Sequence, residues 1–164
     1  MKLLQWMVPV LALTSLSCAV GNAQDAERGD NVLQWSWHVE PTEDGASNEV
    51  ELVLDAQIRP GWILYSSDFV PTDFGPRPAK IVIDKDDERA AVGDARPVGA
   101  RRGTGKDLDG EFAYTYFSGK AAFRQRVHYQ EGTHAVTGVI NGQACFEESG
   151  LCTLVKQAFS VAVP

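Results

Sequence analysis

The segment from residue 49 to residue 58 alternates polar and apolar side chains, and this alternation strongly constrains the fold. The apolar positions are Val50, Leu52, Leu54, Ala56 and Ile58, and most residues between them are acidic or carry an amide. A period of two places successive side chains on opposite faces of a strand, so that one face is buried and the other is solvated. The segment therefore predicts a half-buried β-strand.

Further short runs rich in β-branched and aromatic residues predict strands along the rest of the chain. These runs cover residues 32–39, 62–65, 80–83, 112–117, 121–129, 135–140 and 159–163. Turn signals separate them at residues 60–61, 71–78, 118–119, 131–132 and 141–142. Helical periodicity is not convincing anywhere. Seven or eight short strands in about 140 residues predict an all-β fold, an immunoglobulin-like sandwich of two antiparallel sheets.

The first 23 residues predict a secretory signal peptide. Lys2 is the only charged residue before an apolar stretch from Leu3 to Leu16, and small residues lead to Ala23, where we expect cleavage. The apolar stretch is shorter than the roughly 20 residues that a membrane-spanning helix needs. Residues 24–164 would then form one periplasmic domain without a membrane span. Lipid attachment at Cys18, within a partial lipoprotein processing signal, is the alternative.

The predicted mature chain is acidic, with 14 basic against 22 acidic residues and a net charge of −8. A basic stripe for phosphate contacts is missing, so we expect no nucleic-acid partner. The three histidines lack metal-ligand spacing, and we expect neither a metal nor another cofactor. We expect a monomer. A local basic cluster, offset by nearby aspartates, predicts a solvated loop. Its members are Arg96, Arg101, Arg102 and Lys106.

Two cysteines, Cys145 and Cys152, lie in the run GQACFEESGLCTLV and are the only cysteines after the predicted cleavage site. Seven steps of extended chain cover roughly 23 Å, whereas bridged Cα atoms lie about 5.5 Å apart. If the two pair, the chain must double back, and Gly150 suits a turn with positive φ. The bridge would then close a loop or join neighbouring strands at one end of the sandwich. A loop of about 8 residues stabilises by roughly 2.5 kcal/mol, so spacing alone leaves both a structural clip and a redox-active pair open.

The order of several segments resembles the N-terminal periplasmic domain of the thiol:disulfide interchange protein DsbD, the disulfide corrector domain family. The segments are GWILYS at 61–66, residues 111–117, residues 123–127, and the run from Gly138 to Cys152. The resemblance covers nearly the whole predicted mature chain. Two features depart from the family pattern: Thr153 stands where proline often follows the second cysteine, and six residues separate the cysteines instead of four or five.

The resemblance implies an immunoglobulin-like sandwich that carries a thiol–disulfide relay of the protein-disulfide reductase type. The reduced pair would pass two electrons to oxidised periplasmic thiol proteins through a mixed disulfide. A thioredoxin-like protein or domain would reduce it again. Because the membrane carrier and thioredoxin-like domain of full-length DsbD are missing here, we expect a free-standing module whose donor is another protein. By position, Cys152 matches the cysteine that attacks and is attacked by partners, and Cys145 matches the resolving cysteine.

The resemblance also implies an aromatic cap loop over the pair. The best match is the segment from Asp107 to Phe112, with Asp109, Glu111 and Phe112 as candidates and Phe112 as the lid. The alternative for Phe112 is an ordinary strand residue at the edge of the sandwich.

The charges near the cysteines predict thiols that ionise poorly in the isolated domain. Glu147 and Glu148 lie between the cysteines, and Lys156 is the cation close in sequence. Negative neighbours oppose thiolate formation, so exchange should depend on a docked partner. A second function remains open, a secreted β-sandwich binding module in which the Cys145–Cys152 bridge is purely structural.

Overall fold

The computed structural model describes residues 31–84, 91–130, 132 and 134–164. The predicted signal peptide, its cleavage at Ala23, and Cys18 lie outside these residues, as does part of the predicted turn at 131–132. The described residues form strands and connections without a helix. This part of the chain therefore has no helix that is long and apolar enough to cross a membrane.

The described residues form ten strands. In chain order they are β1 (Leu33–Pro41), β2 (Glu49–Ile58), β3 (Trp62–Tyr65), β4 (Lys80–Ile83), β5 (Ala91–Pro97), β6 (Arg101–Asp107), β7 (Gly110–Ser118), β8 (Lys120–His128), β9 (Ala135–Phe146) and β10 (Cys152–Ala162). One sheet has the order β1-β2-β8-β5. The other has the order β10-β9-β3-β7-β6, and β4 also pairs with β9. All pairings are antiparallel, which confirms the predicted sandwich of two antiparallel sheets.

The core lies between the two sheets and is built from the alternation seen in the sequence. Leu52 and Leu54 of β2 are fully buried, as is Phe123 of β8. Trp62 and Phe117 enter the same cluster from the opposite sheet. The polar positions of β2 face outward, where Glu51 pairs with Arg96 at 2.9 Å. The period of two in β2 thus sets which face of its sheet is buried.

The basic cluster predicted as a solvated loop lies on two strands of different sheets, so that prediction was wrong about its backbone. Arg96 lies on β5, and the other three cluster members lie on β6. Strand β6 contains Gly103 and Gly105, and glycine is depleted in strands. Both glycines lie beneath aromatic rings of β7: a Cβ atom on Gly103 would come within 2.7 Å of the Tyr114 ring. The missing side chains make room for those rings, and this packing is invisible in the sequence.

The turn predicted at Asn141 and Gly142 was also wrong, because β9 runs through both residues. They pair with Lys156 and Val155 of β10, which begins at Cys152 and not at residue 159. A Cβ atom on Gly142 would lie 3.5 Å from the Cα atom of Ala79. Glycine here accompanies a close approach of two backbones and does not mark a turn. As a result, β9 and β10 form one long hairpin that ends at the cysteines.

Candidate functional site

The two cysteines form a disulfide across the end of the β9–β10 hairpin. Cys145 and Cys152 are directly opposite each other in the register. Their sulfur atoms are 1.99 Å apart, and their Cα atoms are 4.0 Å apart. Directly opposite residues of an antiparallel pair have the shortest Cα separations between two strands, about 4.5 to 5.5 Å. The bridge therefore joins neighbouring strands of one sheet, one of the two arrangements that the spacing predicted.

A tight turn between the strands lets the chain double back. The N–H of Phe146 donates to the carbonyl oxygen of Leu151 at 2.8 Å, and the N–H of Gly150 donates to that of Phe146 at 2.9 Å. Gly150 has a φ of 71°, as predicted from its place before the second cysteine. Glycine occupies this region of φ without steric cost. The turn thereby brings Cys152 back beside Cys145.

The two sulfur-bearing residues differ in their exposure to solvent. Cys145 is only 5% exposed, because β9 lies between β10 and β3 and Ile63 flanks Cys145 on the β3 side. Cys152 is exposed on β10, at the end of the strand order. Leu151 and Leu154 beside it are 50% and 67% exposed. A nucleophile from solution can therefore reach Cys152 more readily than Cys145.

A polar group contacts each of the two sulfurs, and the two groups are of opposite kinds. Gln143 precedes Cys145 by two residues and shares its face of the strand. Its Nε2 atom donates toward Cys145 Sγ at 3.7 Å, and its Oε1 atom accepts the N–H of Arg77 at 2.9 Å. The Sγ atom of Cys152 lies instead 3.3 Å from the carbonyl oxygen of Gly150. Cys145 thus faces a hydrogen-bond donor, and Cys152 faces an acceptor.

The connection from β3 to β4, residues 66–79, links this site to the β6–β7 hairpin. We call it the β3–β4 segment. Its ends are tied together, since the N–H of Ala79 donates to the carbonyl oxygen of Ser66 at 2.9 Å. Farther along, the Thr72 hydroxyl donates to Asp107 Oδ2 at 2.7 Å. This bond is the main reason why the pKa of Asp107 lies below its usual value. The segment therefore touches Gln143 through Arg77 and the hairpin through Thr72.

The predicted cap residues lie at the far end of the same sheet. Asp109 is in the β6–β7 turn, and Glu111 and Phe112 begin β7. Strand β7 reaches the level of Cys145 only at Ser118, through the intervening strand β3. Six residues of strand cover roughly 20 Å. The register thus separates the cap candidates from the disulfide along the strand direction.

Phe112 contacts the β3–β4 segment as well as its neighbours in the sheet. Its ring centre lies 6.0 Å from that of Tyr114. The ring also covers Gly105 and comes within 3.6 Å of the Cβ position of Gly75 in the β3–β4 segment. Phe112 is therefore a strand residue whose link to the cysteines runs through that segment. Its role as a lid stays a prediction.

Aromatic rings cover the outer face of the sheet between the cap candidates and the disulfide. Tyr65 stacks edge to face with Tyr114 at 5.3 Å, and Phe69 and Tyr116 extend the group. Burial raises the pKa of Tyr65, and the neighbouring Tyr114 raises it further. Sequence reasoning missed this group because it depends on β3 and β7 being neighbours.

Gln143 and Arg77 were also missed from the sequence. Gln143 stands two residues before a cysteine, so a period of two would have placed it beside Cys145 had β9 been extended past residue 140. Arg77 contributes its backbone N–H from a distant connection, and its type carries no signal for that contact. Lys156, the predicted nearby cation, lies four residues along β10 from Cys152, roughly 13 Å at strand rise.

Among the solved structures that resemble this chain are two N-terminal domains. The N-terminal domain of DsbD from Neisseria meningitidis, in the reduced form, superimposes with a TM-score of 0.54 at 15% identity, covering 87% of this chain and 94% of that one. The N-terminal periplasmic domain of ScsB from Proteus mirabilis gives a TM-score of 0.49 at 14% identity, with 79% and 45% covered. No family model matches the chain, and no curated protein matches it in sequence. The first likeness shows that the sandwich has the immunoglobulin-like fold of the DsbD domain.

Proposed function

We propose that this domain is a thiol–disulfide exchange module and that its Cys145–Cys152 pair passes reducing equivalents between proteins. The observation that carries the proposal is the unequal exposure of the two sulfurs, with Cys152 exposed and Cys145 buried. A partner thiolate can attack Cys152 while Cys145 leaves into a sheltered position. The reverse attack by Cys145 would release the partner. Cys152 is then the interchange cysteine, and Cys145 is the resolving cysteine.

A purely structural role explains the bridge less well. The bridge closes a hairpin in which all 11 residues of β10 already pair with β9. Cys145 points away from the core cluster, which its neighbours Ala144 and Phe146 join. The clip would therefore constrain a part of the chain that is already well held.

The shared fold with a DsbD N-terminal domain supports the periplasm as the compartment. It also supports a thioredoxin-like protein or domain as the donor, and oxidised periplasmic thiol proteins as acceptors. The exposed side chains of Leu151 and Leu154 offer an apolar rim around Cys152 that a docking partner would cover. Partner contact would then bring its cysteine to the accessible sulfur.

The cap candidates Asp109, Glu111 and Phe112 would act on the pair through the β3–β4 segment. Asp107 and Phe112 hold this segment at Thr72 and Gly75, and Arg77 bonds to Gln143 beside Cys145. Loosening the hairpin would free the segment and expose the sheltered Cys145.

The environment of Cys152 supports the expected poor ionisation of the reduced domain. A thiol at Cys152 can donate its S–H to the carbonyl oxygen of Gly150, 3.3 Å from the sulfur. A hydrogen bond made by the neutral form disfavours the thiolate. A docked partner that displaces this contact would activate the cysteine only where exchange is wanted.

Single-cysteine variants test the exchange function directly. The probe is a thioredoxin that lacks its resolving cysteine and whose remaining cysteine carries a chromogenic thiol leaving group. Cys145→Ser, which keeps the exposed Cys152, should release the chromophore and form the mixed disulfide at least about tenfold faster than Cys152→Ser, since access controls the rate. The variant that lacks both cysteines gives the background.

The binding-module alternative makes the opposite prediction for the same samples. A structural disulfide typically has a reduction potential below about −300 mV and resists the glutathione pool. A bridge that stays oxidised in glutathione buffers, together with equal and slow reaction of both single-cysteine variants, would exclude the exchange function.

A further inference from the structure

The orientation of the Gln143 side chain is fixed by its two contacts. The backbone N–H of Arg77 can only donate, so the atom that it meets at 2.9 Å must be the amide oxygen. The amide nitrogen is thereby turned toward Cys145 Sγ, 3.7 Å away. The donor is held in place by a backbone group and needs no reorganisation when charge appears on the sulfur.

The strength of this contact depends on the state of the sulfur. A sulfur in a disulfide is a weak acceptor, whereas a thiolate carries a full charge, and hydrogen bonds to ions are about twice as strong as neutral ones. An interaction that strengthens as the bond breaks lowers the barrier to breaking it. From this geometry we propose that Gln143 is a catalytic residue of the exchange reaction, which stabilises Cys145 as the leaving thiolate.

The step that it assists is one half of the proposed exchange, and the inference rests on that function. A partner thiolate attacks Cys152 Sγ and forms a new S–S bond with it. The Cys152–Cys145 bond breaks, and its electron pair leaves on Cys145 Sγ, where the N–H of Gln143 receives the charge. The second thiolate of the same partner then attacks the partner's sulfur in the mixed disulfide and expels Cys152. The domain gains two electrons, the partner dithiol loses two, and solvent supplies the protons that the new thiols bind.

The surroundings of the second sulfur reinforce this direction. Attack on Cys145 would expel Cys152 as a thiolate beside the carbonyl oxygen of Gly150, 3.3 Å away. A negative sulfur and a carbonyl oxygen repel each other. The donor at Cys145 and the acceptor at Cys152 therefore favour Cys145 as the leaving group. The exposure of Cys152 favours the same direction, because an attacking thiolate can reach it. Gln143 thus helps to determine which sulfur a partner attacks.

Two substitutions of Gln143 distinguish the N–H that it donates to Cys145 from the bond that its oxygen accepts from Arg77. Gln143→Glu keeps an oxygen for the N–H of Arg77 but loses the donor. Gln143→Met is neutral and of similar length, and it loses both contacts. Gln157→Glu is the matched control for the added charge, since Gln157 lies on β10 five residues from Cys152 and bonds to the Ala158 carbonyl. The reaction is the reduction of the oxidised domain by dithiothreitol at fixed pH.

We expect both Gln143 variants to be reduced about tenfold more slowly than the wild type, the effect of losing one hydrogen bond to a charged group. Gln157→Glu should match the wild type. In the Cys152→Ser background, Gln143→Met should also move the pH midpoint of thiolate absorption by Cys145 upward. A merely structural role for Gln143 would leave that midpoint unchanged.

The inference is overturned if dithiothreitol reduces the Gln143→Met variant as fast as the wild type. It is also overturned if only the Gln143→Glu variant is reduced more slowly. If the wild type itself fails to exchange with dithiothreitol or with the thioredoxin probe, the proposed function fails first. If the wild type exchanges and the Gln143 variants do so equally fast, only the role of Gln143 is lost.

Discussion

At the scale of single residues, a few atoms make Cys145 and Cys152 unequal. Strand β3 and the amide of Gln143 surround one sulfur, and solvent and the Gly150 carbonyl surround the other. Both environments follow from the position of each cysteine on its strand. Gly150 matters twice, because its backbone also shapes the turn that returns the chain to Cys152.

We predict that Gly150→Ala destabilises the oxidised domain by about 1 kcal/mol, because an L-residue resists positive φ. A Cβ atom there would meet no neighbour within 4 Å, so any cost is conformational. Gly150→Asn should cost less, since asparagine tolerates this region. Urea unfolding of the three proteins measures the difference. Equal stability of the alanine and glycine proteins would contradict the φ argument.

At the scale of elements, the β9–β10 hairpin carries the cysteines and the β3–β4 segment lies against it. The hairpin is held along its whole length, because all 11 residues of β10 pair with β9. The segment is a 14-residue connection held by individual contacts at Thr72, Gly75 and Arg77. Access to Cys145 should therefore depend on the segment more than on the hairpin.

We predict that Phe112→Ala, made in the Cys152→Ser background, speeds alkylation of the sheltered Cys145 thiol by about threefold, because access contributes to the reaction rate. Loss of the ring removes its contact near Gly75 and loosens the segment. Tyr129→Ala is the control, as a partly buried aromatic that packs against the core. The alkylation rates of Cys145 are compared in the Cys152→Ser background. An unchanged rate in Phe112→Ala would leave Phe112 as an ordinary strand residue.

At the scale of the whole molecule, the fold and the disulfide are largely independent. The buried cluster between the sheets includes residues of both, and the bridge lies on the outer side of one of them. The ion pairs of the other sheet are on its outer face, where Arg124 and Arg126 hold the pKa values of Glu40 and Asp44 below their usual range. The core and the disulfide thus occupy different faces.

We predict that the variant with both cysteines replaced by serine keeps its fold. Its free energy of unfolding should fall by no more than about 2.5 kcal/mol, the entropic contribution of closing a loop of about 8 residues. Circular dichroism and urea unfolding of this variant and of the oxidised wild type measure both quantities. An unfolded variant would show that the bridge is structural after all.

Much of the fold was predictable from the sequence, and the failures have clear physical causes. Strands with strict alternation, such as β2, were found because one face is buried and the other solvated. Strand β6 was missed because glycines are unusual in strands, and here they lie beneath aromatic rings of β7. Strand β9 was cut short because Gly142 resembles a turn signal but lies against Ala79. In both strands a tertiary contact overrode the local preference.

The sequence by itself determined the all-β class, because this follows from periodicity. From spacing it also determined that the chain must double back if Cys145 and Cys152 pair, with Gly150 suited to a positive φ because it lacks a side chain. Only the tertiary structure decided which sulfur is exposed and what surrounds each one. Those properties depend on which strands become neighbours: β10 at the end of its sheet exposes Cys152, and β3 beside β9 buries Cys145. Strand order is set by the packing of distant segments, so it cannot be derived from the residues around the cysteines.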